Sequence, residues 1–187
     1  VASNPEHVVV VDEAYVDFGA DSAVPLLQKY DNLLVVMTYS KSRSMAGARL
    51  GFALGSRALI QDLEKLKYST NPYNVNRLTL KLGAAAVDSD GYFREKAREI
   101  MATREKTAQA LRAMGFTLPD SQANFLFVAH PKVAGETLYR KCKEKGVLIR
   151  HFSDPAIAAY NRVTIGTPAE MEAFLAVVQT ILKEEGA

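Results

Sequence analysis

Two apolar runs near the start of the chain lack the alternation of a half-buried strand. HVVVVDEAY (7–15) contains four consecutive valines, and NLLVVMTYSK (32–41) repeats the design. Segments that are apolar at successive positions suit a parallel sheet whose strands are buried on both faces. A charged residue follows each run, Asp12 the first and Lys41 the second. Ligands in open α/β sheets collect beyond the carboxyl ends of parallel strands, so Asp12 and Lys41 are candidates for one crevice.

RLGFALG (49–55) reads as a further short strand, with Ser56 as the N-cap of a helix over RALIQDLEKLKY. The turn-rich STNPYNVN (69–76) separates that helix from RLTLKLGAAAVDS, which has a small-residue face. From Gly91, the helical recurrence of Phe93, Ala97, Ile100, Met101, Arg104, Ala108, Leu111 and Met114 predicts a long amphipathic helix. Gly115 should end it. The rhythm then changes to a strand (ANFLFVA), a helix (AGETLYRKCKEKG), two strands (VLIRHF and NRVTIGT) and a last helix. Thr167, Pro168 and Glu170 give that last helix an N-cap, a first-turn proline and a capping-box carboxylate. The expected fold class is α/β: part of a parallel-sheet domain over 1–88, then the long helix and a small α+β domain over 89–187.

Composition narrows the functions. At 187 residues and 48% hydrophobic content the chain can bury a core. A net charge of +2 gives no bulk attraction to nucleic acid or to a membrane surface, so neither is expected as a partner. Cys142 is the only cysteine, which rules out an internal disulfide and fits a reducing, cytoplasmic setting. No apolar run approaches the roughly 20 residues of a bilayer span, and the amino terminus has no signal-peptide layout. The first residue is Val1 and not Met, which fits processing or a piece of a longer chain. His7, His130 and His151 have no metal-ligand spacing, and no metal site is expected.

Lys41 is the residue whose surroundings ask for an explanation. Thr38, Tyr39, Ser40, Ser42 and Ser44 supply hydroxyls around it, and Gly47, Arg49 and Gly51 follow. A forked guanidinium, hydroxyls and a glycine-flanked backbone together suit an anion, although no P-loop string is present. Lys41 itself reads either as a lysine reaching from a strand end to solvent or as a nucleophilic amine that forms an imine with a carbonyl. Asp12 reads either as the cap of a following turn or as the partner of a buried cation. Tyr15 either packs in the core or aims its phenol into the crevice.

DEAYVDF followed by YSKSRSMAGARLGF resembles the fold-type I pyridoxal-phosphate aminotransferases, and within them the histidinol-phosphate aminotransferase family. NPYNVN, SQANFLFV, GVLIRHF and RVTIGTPAEM extend the resemblance in order across nearly the whole chain. It implies pyridoxal 5'-phosphate as cofactor, with Lys41 forming the imine and later moving the substrate proton. It further implies Asp12 at the pyridine nitrogen, Tyr15 at the phenolic oxygen, and Arg49, Ser40 and Thr38 at the phosphate. Arg162 would hold the substrate's acidic group, and Arg150 a substrate phosphate. Asn124 would donate to substrate or satisfy a strand end, and Tyr73 would line the entrance or pack in its turn. The implied reaction moves an amino group between histidinol phosphate and 2-oxoglutarate, so the partners are a small-molecule amino donor and a 2-oxo acid. The full-length enzyme would be a homodimer.

What the family places before the Asp12 strand has no counterpart here: an amino-terminal arm, a Gly-rich phosphate loop, a ring stacked on the cofactor and an asparagine at its phenolic oxygen. The chain therefore corresponds to the carboxyl-terminal portion, expected to carry bare edges or apolar faces and an incomplete active site. Alternatives are another amino-acid aminotransferase, a decarboxylase of phosphorylated amino acids with the same cofactor, or a catalytically silent truncated domain. A nucleic-acid binder built on Lys41, Arg43 and Arg49 would need stacking aromatics around those cations, and they are lacking.

Overall fold

The computed structural model describes residues 1–187 and divides them into two compact units, Val1–Lys96 and Ala97–Ala187.

In the first unit β1 (Val9–Asp12) runs parallel to β2 (Leu33–Thr38), in a register that sets Val9 opposite Leu33 and Asp12 opposite Val36. Leu33, Leu34 and Val35 are buried, and the turn between the strands adds the buried ring of Phe18. Two expectations need correction. β3 (Gly51–Gly55) pairs antiparallel with β2, so the sheet is mixed, in the order β1-β2-β3. Residues 39–50 contain one short 3-10 turn and no α-helix to return the chain to the sheet's starting edge, as a parallel crossover requires. β1, moreover, is not buried on both faces. It pairs only with β2, and Val8 and Val10 remain 52% and 56% exposed.

Ser56 caps α1 (Arg57–Thr70) by accepting from the Leu59 amide. The helix runs two residues into the segment read as a break, where the Ser69 and Thr70 hydroxyls donate back to the Lys65 and Leu66 carbonyls. Asn76 caps α2 (Arg77–Asp88) by accepting from the Thr79 amide. α2 turns its small face inward, burying Thr79, Gly83 and Ala86, and leaves Leu78, Leu80, Leu82 and Val87 exposed.

α3 (Asp90–Ala113) ends where expected. Gly115 has φ 86°, and the amides of Gly115 and Phe116 donate to the carbonyls of Arg112 and Leu111, the paired bonds of a Schellman motif. The second unit holds an antiparallel sheet, ordered β4 (Phe125–Val128), β6 (Asn161–Thr164), β5 (Arg150–His151), with α4 (Gly135–Glu144) and α5 (Pro168–Glu184). One sheet face, bearing Leu126, Val128 and Val163, joins Leu111, Phe116, Leu138, Cys142, Phe174, Val178 and Ile181 in the core. The capping box of α5 is complete: Thr167 accepts from the Glu170 amide, and the Glu170 carboxylate accepts from the Thr167 amide. The amide and the hydroxyl of Thr167 both donate to the Glu170 carboxylate, and these two bonds hold its carboxyl below its ordinary range.

Candidate active site

The end of β1 and the end of β2 lie side by side because the strands are parallel, and this alone brings residues distant in sequence together. A crevice of about 400 Å³ opens there, lined by Asp12, Thr38, Ser40, Lys41 and Arg49 among others. It thus gathers a carboxylate, an amine, a guanidinium and two hydroxyls. Asp12, Lys41 and Arg49 are solvent-exposed, while Thr38 and Ser40 are half-buried. One Asp12 oxygen accepts from the Ala14 amide at 2.9 Å, so this side chain caps a turn while also lining the crevice. Tyr15 is half-buried beside it, its ring centroid 5.4 Å from the Lys41 Nζ.

The backbone around Lys41 is tightly turned. The Tyr39 amide donates to the Leu50 carbonyl, the Ser44 amide to Lys41 and the Met45 amide to Tyr39. Ser44 and Arg49 take positive φ, 55° and 54°, a region that residues with a Cβ seldom adopt. The Thr38 and Ser40 hydroxyls lie 2.9 Å apart, and the Ser40 amide donates to Thr38 Oγ1 at 3.1 Å. Arg49 Nη1 donates to the Ala46 carbonyl at 3.1 Å. This packs donors closely on one wall, an arrangement suited to an anion.

Several supporting residues escaped the sequence reading. Glu13, only 7% exposed, accepts from the Ser22 hydroxyl and the Ala23 amide and so folds the connection after β1. Ser42 donates to the Asp17 carboxylate. Arg43 pairs with Asp90 at 2.6 Å. Arg43 and Arg94 together hold the Asp90 carboxyl below its ordinary value of 3.8. No sequence spacing announces partners this far apart.

In the second unit Arg162 stands directly opposite Arg150 on one neighbouring strand and opposite Phe127 on the other. All three therefore share the sheet face turned away from the core. The guanidinium carbon of Arg162 lies 5.6 Å from the Phe125 ring centroid, and that of Arg150 lies 5.6 Å from Phe152. Phe127 stacks on Tyr160 at 4.6 Å. The result is a pair of cations set among aromatic rings. Asn124 precedes β4, half-buried, with its carbonyl accepting from the Ile165 amide. Tyr73, in the turn between α1 and α2, is 90% exposed. No cluster of three or more His, Cys, Asp or Glu could hold a metal ion, and no helix is long and apolar enough to cross a membrane.

The family model for aminotransferase class I and II matches residues 1–178. A histidinol-phosphate aminotransferase of Brachyspira hyodysenteriae is 47% identical over 98% of this chain, and the match covers 52% of that relative. The chain spans about half the length of the curated relatives it matches. Among solved structures, the histidinol-phosphate aminotransferase from Clostridium acetobutylicum superposes with a TM-score of 0.86 at 22% identity, covering 98% of this chain and 56% of that one. The enzyme of that name from Sinorhizobium meliloti, in complex with pyridoxal-5'-phosphate, gives 0.80 at 23% identity, covering 95% and 49%. At such identities the structural likeness establishes the fold, that of fold-type I enzymes.

Proposed function

Because the chain belongs to the class I and II aminotransferases, we propose that it forms the carboxyl-terminal portion of an enzyme transferring an amino group between histidinol phosphate and 2-oxoglutarate, with pyridoxal 5'-phosphate as cofactor. The observation that carries this reading is the crevice shared by Asp12, Thr38, Ser40, Lys41 and Arg49. Its donor set matches what the cofactor presents: an aldehyde for an amine, a ring nitrogen for a carboxylate and a phosphate for a guanidinium with hydroxyls. The 47% identity to a histidinol-phosphate aminotransferase favours that substrate over the other reactions run on this cofactor.

When bound, pyridoxal phosphate supplies an electrophilic carbon and an electron-withdrawing ring. Lys41 would supply the amine that bonds that carbon and, when free, the base that takes the proton from the substrate α-carbon and passes it to the cofactor carbon. The Asp12 carboxylate keeps a proton on the ring nitrogen, and the Tyr15 hydroxyl donates to the phenolic oxygen. Arg49, with the Thr38 and Ser40 hydroxyls, binds the phosphate. Arg162 and Arg150 receive the substrate's acidic group, since adjacent guanidiniums suit a dianion better than one does. Asn124 and Tyr73 complete the substrate side. The reading places the enzyme in the cytoplasm as a homodimer.

The test is the absorbance spectrum of the purified chain with added pyridoxal phosphate, repeated with Lys41→Ala. A band near the visible edge that requires Lys41, and that changes when histidinol phosphate is added, is the expected result. A cofactor band that Lys41→Ala leaves unaltered refutes the role given to Lys41, whereas no band from either chain shows that the site needs residues outside this portion and leaves the family assignment standing.

A further inference from the structure

The turn that carries Lys41 must leave that side chain exposed while its own backbone stays fixed. The two residues that follow are anchored in different places. The Ser42 hydroxyl bonds the Asp17 carboxylate. Arg43 reaches the first turn of α3, where its Nη2 lies 2.6 Å from the Asp90 carboxylate and its guanidinium carbon 5.2 Å from the Phe93 ring centroid. Arg94 bonds the other Asp90 oxygen and so fixes the carboxylate from within the helix. Arg43 and Asp90 are only 20% and 34% exposed in their side chains, which shields the pair from solvent screening. Ser44, next in the chain, is held at φ 55°, a conformation that persists only where its surroundings impose it.

We propose that Arg43, with Asp90 as its counterion, is a positioning residue that latches the Lys41 turn to the start of α3. The proposal rests on the reading of Lys41 as the reactive amine. Phe93 shapes the seat: its ring accepts the face of a planar guanidinium, which a lysine ammonium matches less well. Loss of Asp90 leaves Arg43 part-buried and uncompensated, loss of Arg43 leaves Asp90 to Arg94 alone, and either frees the turn.

The experiment compares amide hydrogen exchange over residues 39–50 in the unsubstituted chain, Arg43→Met, Arg43→Lys and Asp90→Asn, and titrates each with pyridoxal phosphate, reading the Lys41-dependent band. For Arg43→Met the expected result is exchange at residues 42–45 faster by about tenfold, with β2 amides unchanged, and a cofactor titration weakened by about tenfold. Arg43→Lys should fall between, since it keeps the charge and loses the fork. Asp90→Asn, the mildest change in shape, guards against simple misfolding and should move both readouts the same way. Unchanged exchange in Arg43→Met and Asp90→Asn overturns the latch. Faster exchange with an unaltered titration overturns the positioning role and leaves the functional reading intact. If a cofactor band forms in the unsubstituted chain but does not depend on Lys41, that reading fails, and the positioning role falls with it whatever the exchange shows.

Discussion

Asp12 and Glu13 are adjacent carboxylates with opposite fates. Asp12 lines the open crevice, whereas Glu13 turns inward and accepts two hydrogen bonds from the chain that follows β1. Strand alternation requires that neighbours point to opposite sides, but the sequence does not say which side is which. Asp12 was legible because Lys41 and the resemblance pointed to the same strand ends. Glu13 and Arg43 were not, since their partners depend on how distant segments meet. Cys142 is an intermediate case. Its neighbours in LYRKCKEKG are mostly charged, yet it stands four residues from Leu138, the spacing that puts both on one helix face, and both are buried. Burial pushes its thiol up to about 11, because a thiolate would lose its hydration in the apolar core. The native chain at pH 8 should accordingly be inert to an aromatic disulfide reagent and react fully once denatured; rapid labelling of the folded chain would contradict this placement.

At the scale of the element, signals that act locally were readable. Ser56, Gly115 and the Thr167–Glu170 capping box all work through atoms within a turn of themselves, and each is found where the sequence placed it. The direction of β3 was not readable, because it depends on what fills the connection and not on the strand's own residues. Gly135 belongs to the same unreadable class. It opens α4 like an ordinary helix residue, but a Cβ there would lie 2.4 Å from the Ala158 carbonyl oxygen and 2.9 Å from Ala159 backbone atoms. Its own carbonyl accepts from the fully buried Asn161 side chain. Backbone cannot yield as a flexible side chain can, so Gly135→Ala should destabilise the second unit by roughly 1–3 kcal/mol. Chemical denaturation measures it, and an unchanged midpoint would show that α4 can shift aside.

Across the whole chain, the apolar content divides into what the two units bury and what they leave outside. Leu78 and Leu82, one turn apart on α2, are 68% and 50% exposed, while the small residues of the same helix face inward. Gly83 admits this arrangement: a Cβ there would stand 2.5 Å from the Leu50 side chain. Substituting both leucines with lysine removes exposed apolar surface and little buried contact. Each change should cost no more than about 0.5 kcal/mol. Self-association at high concentration, followed by light scattering, should fall, and a large drop in thermal midpoint would mean that these side chains are packed after all.

The sequence by itself determined the helices and most strands, the caps that bound them, the family and the set of residues gathered in the crevice, because periodicity, capping and motif order are carried by neighbouring residues. Only the tertiary structure decided that the first sheet is mixed, that β1 keeps one face bare, that α2 faces its leucines outward, and that Arg43 reaches Asp90, 47 residues along the chain. Each of these depends on which distant segment occupies the adjoining space, and that is settled by packing and chain connection together, not by local pattern.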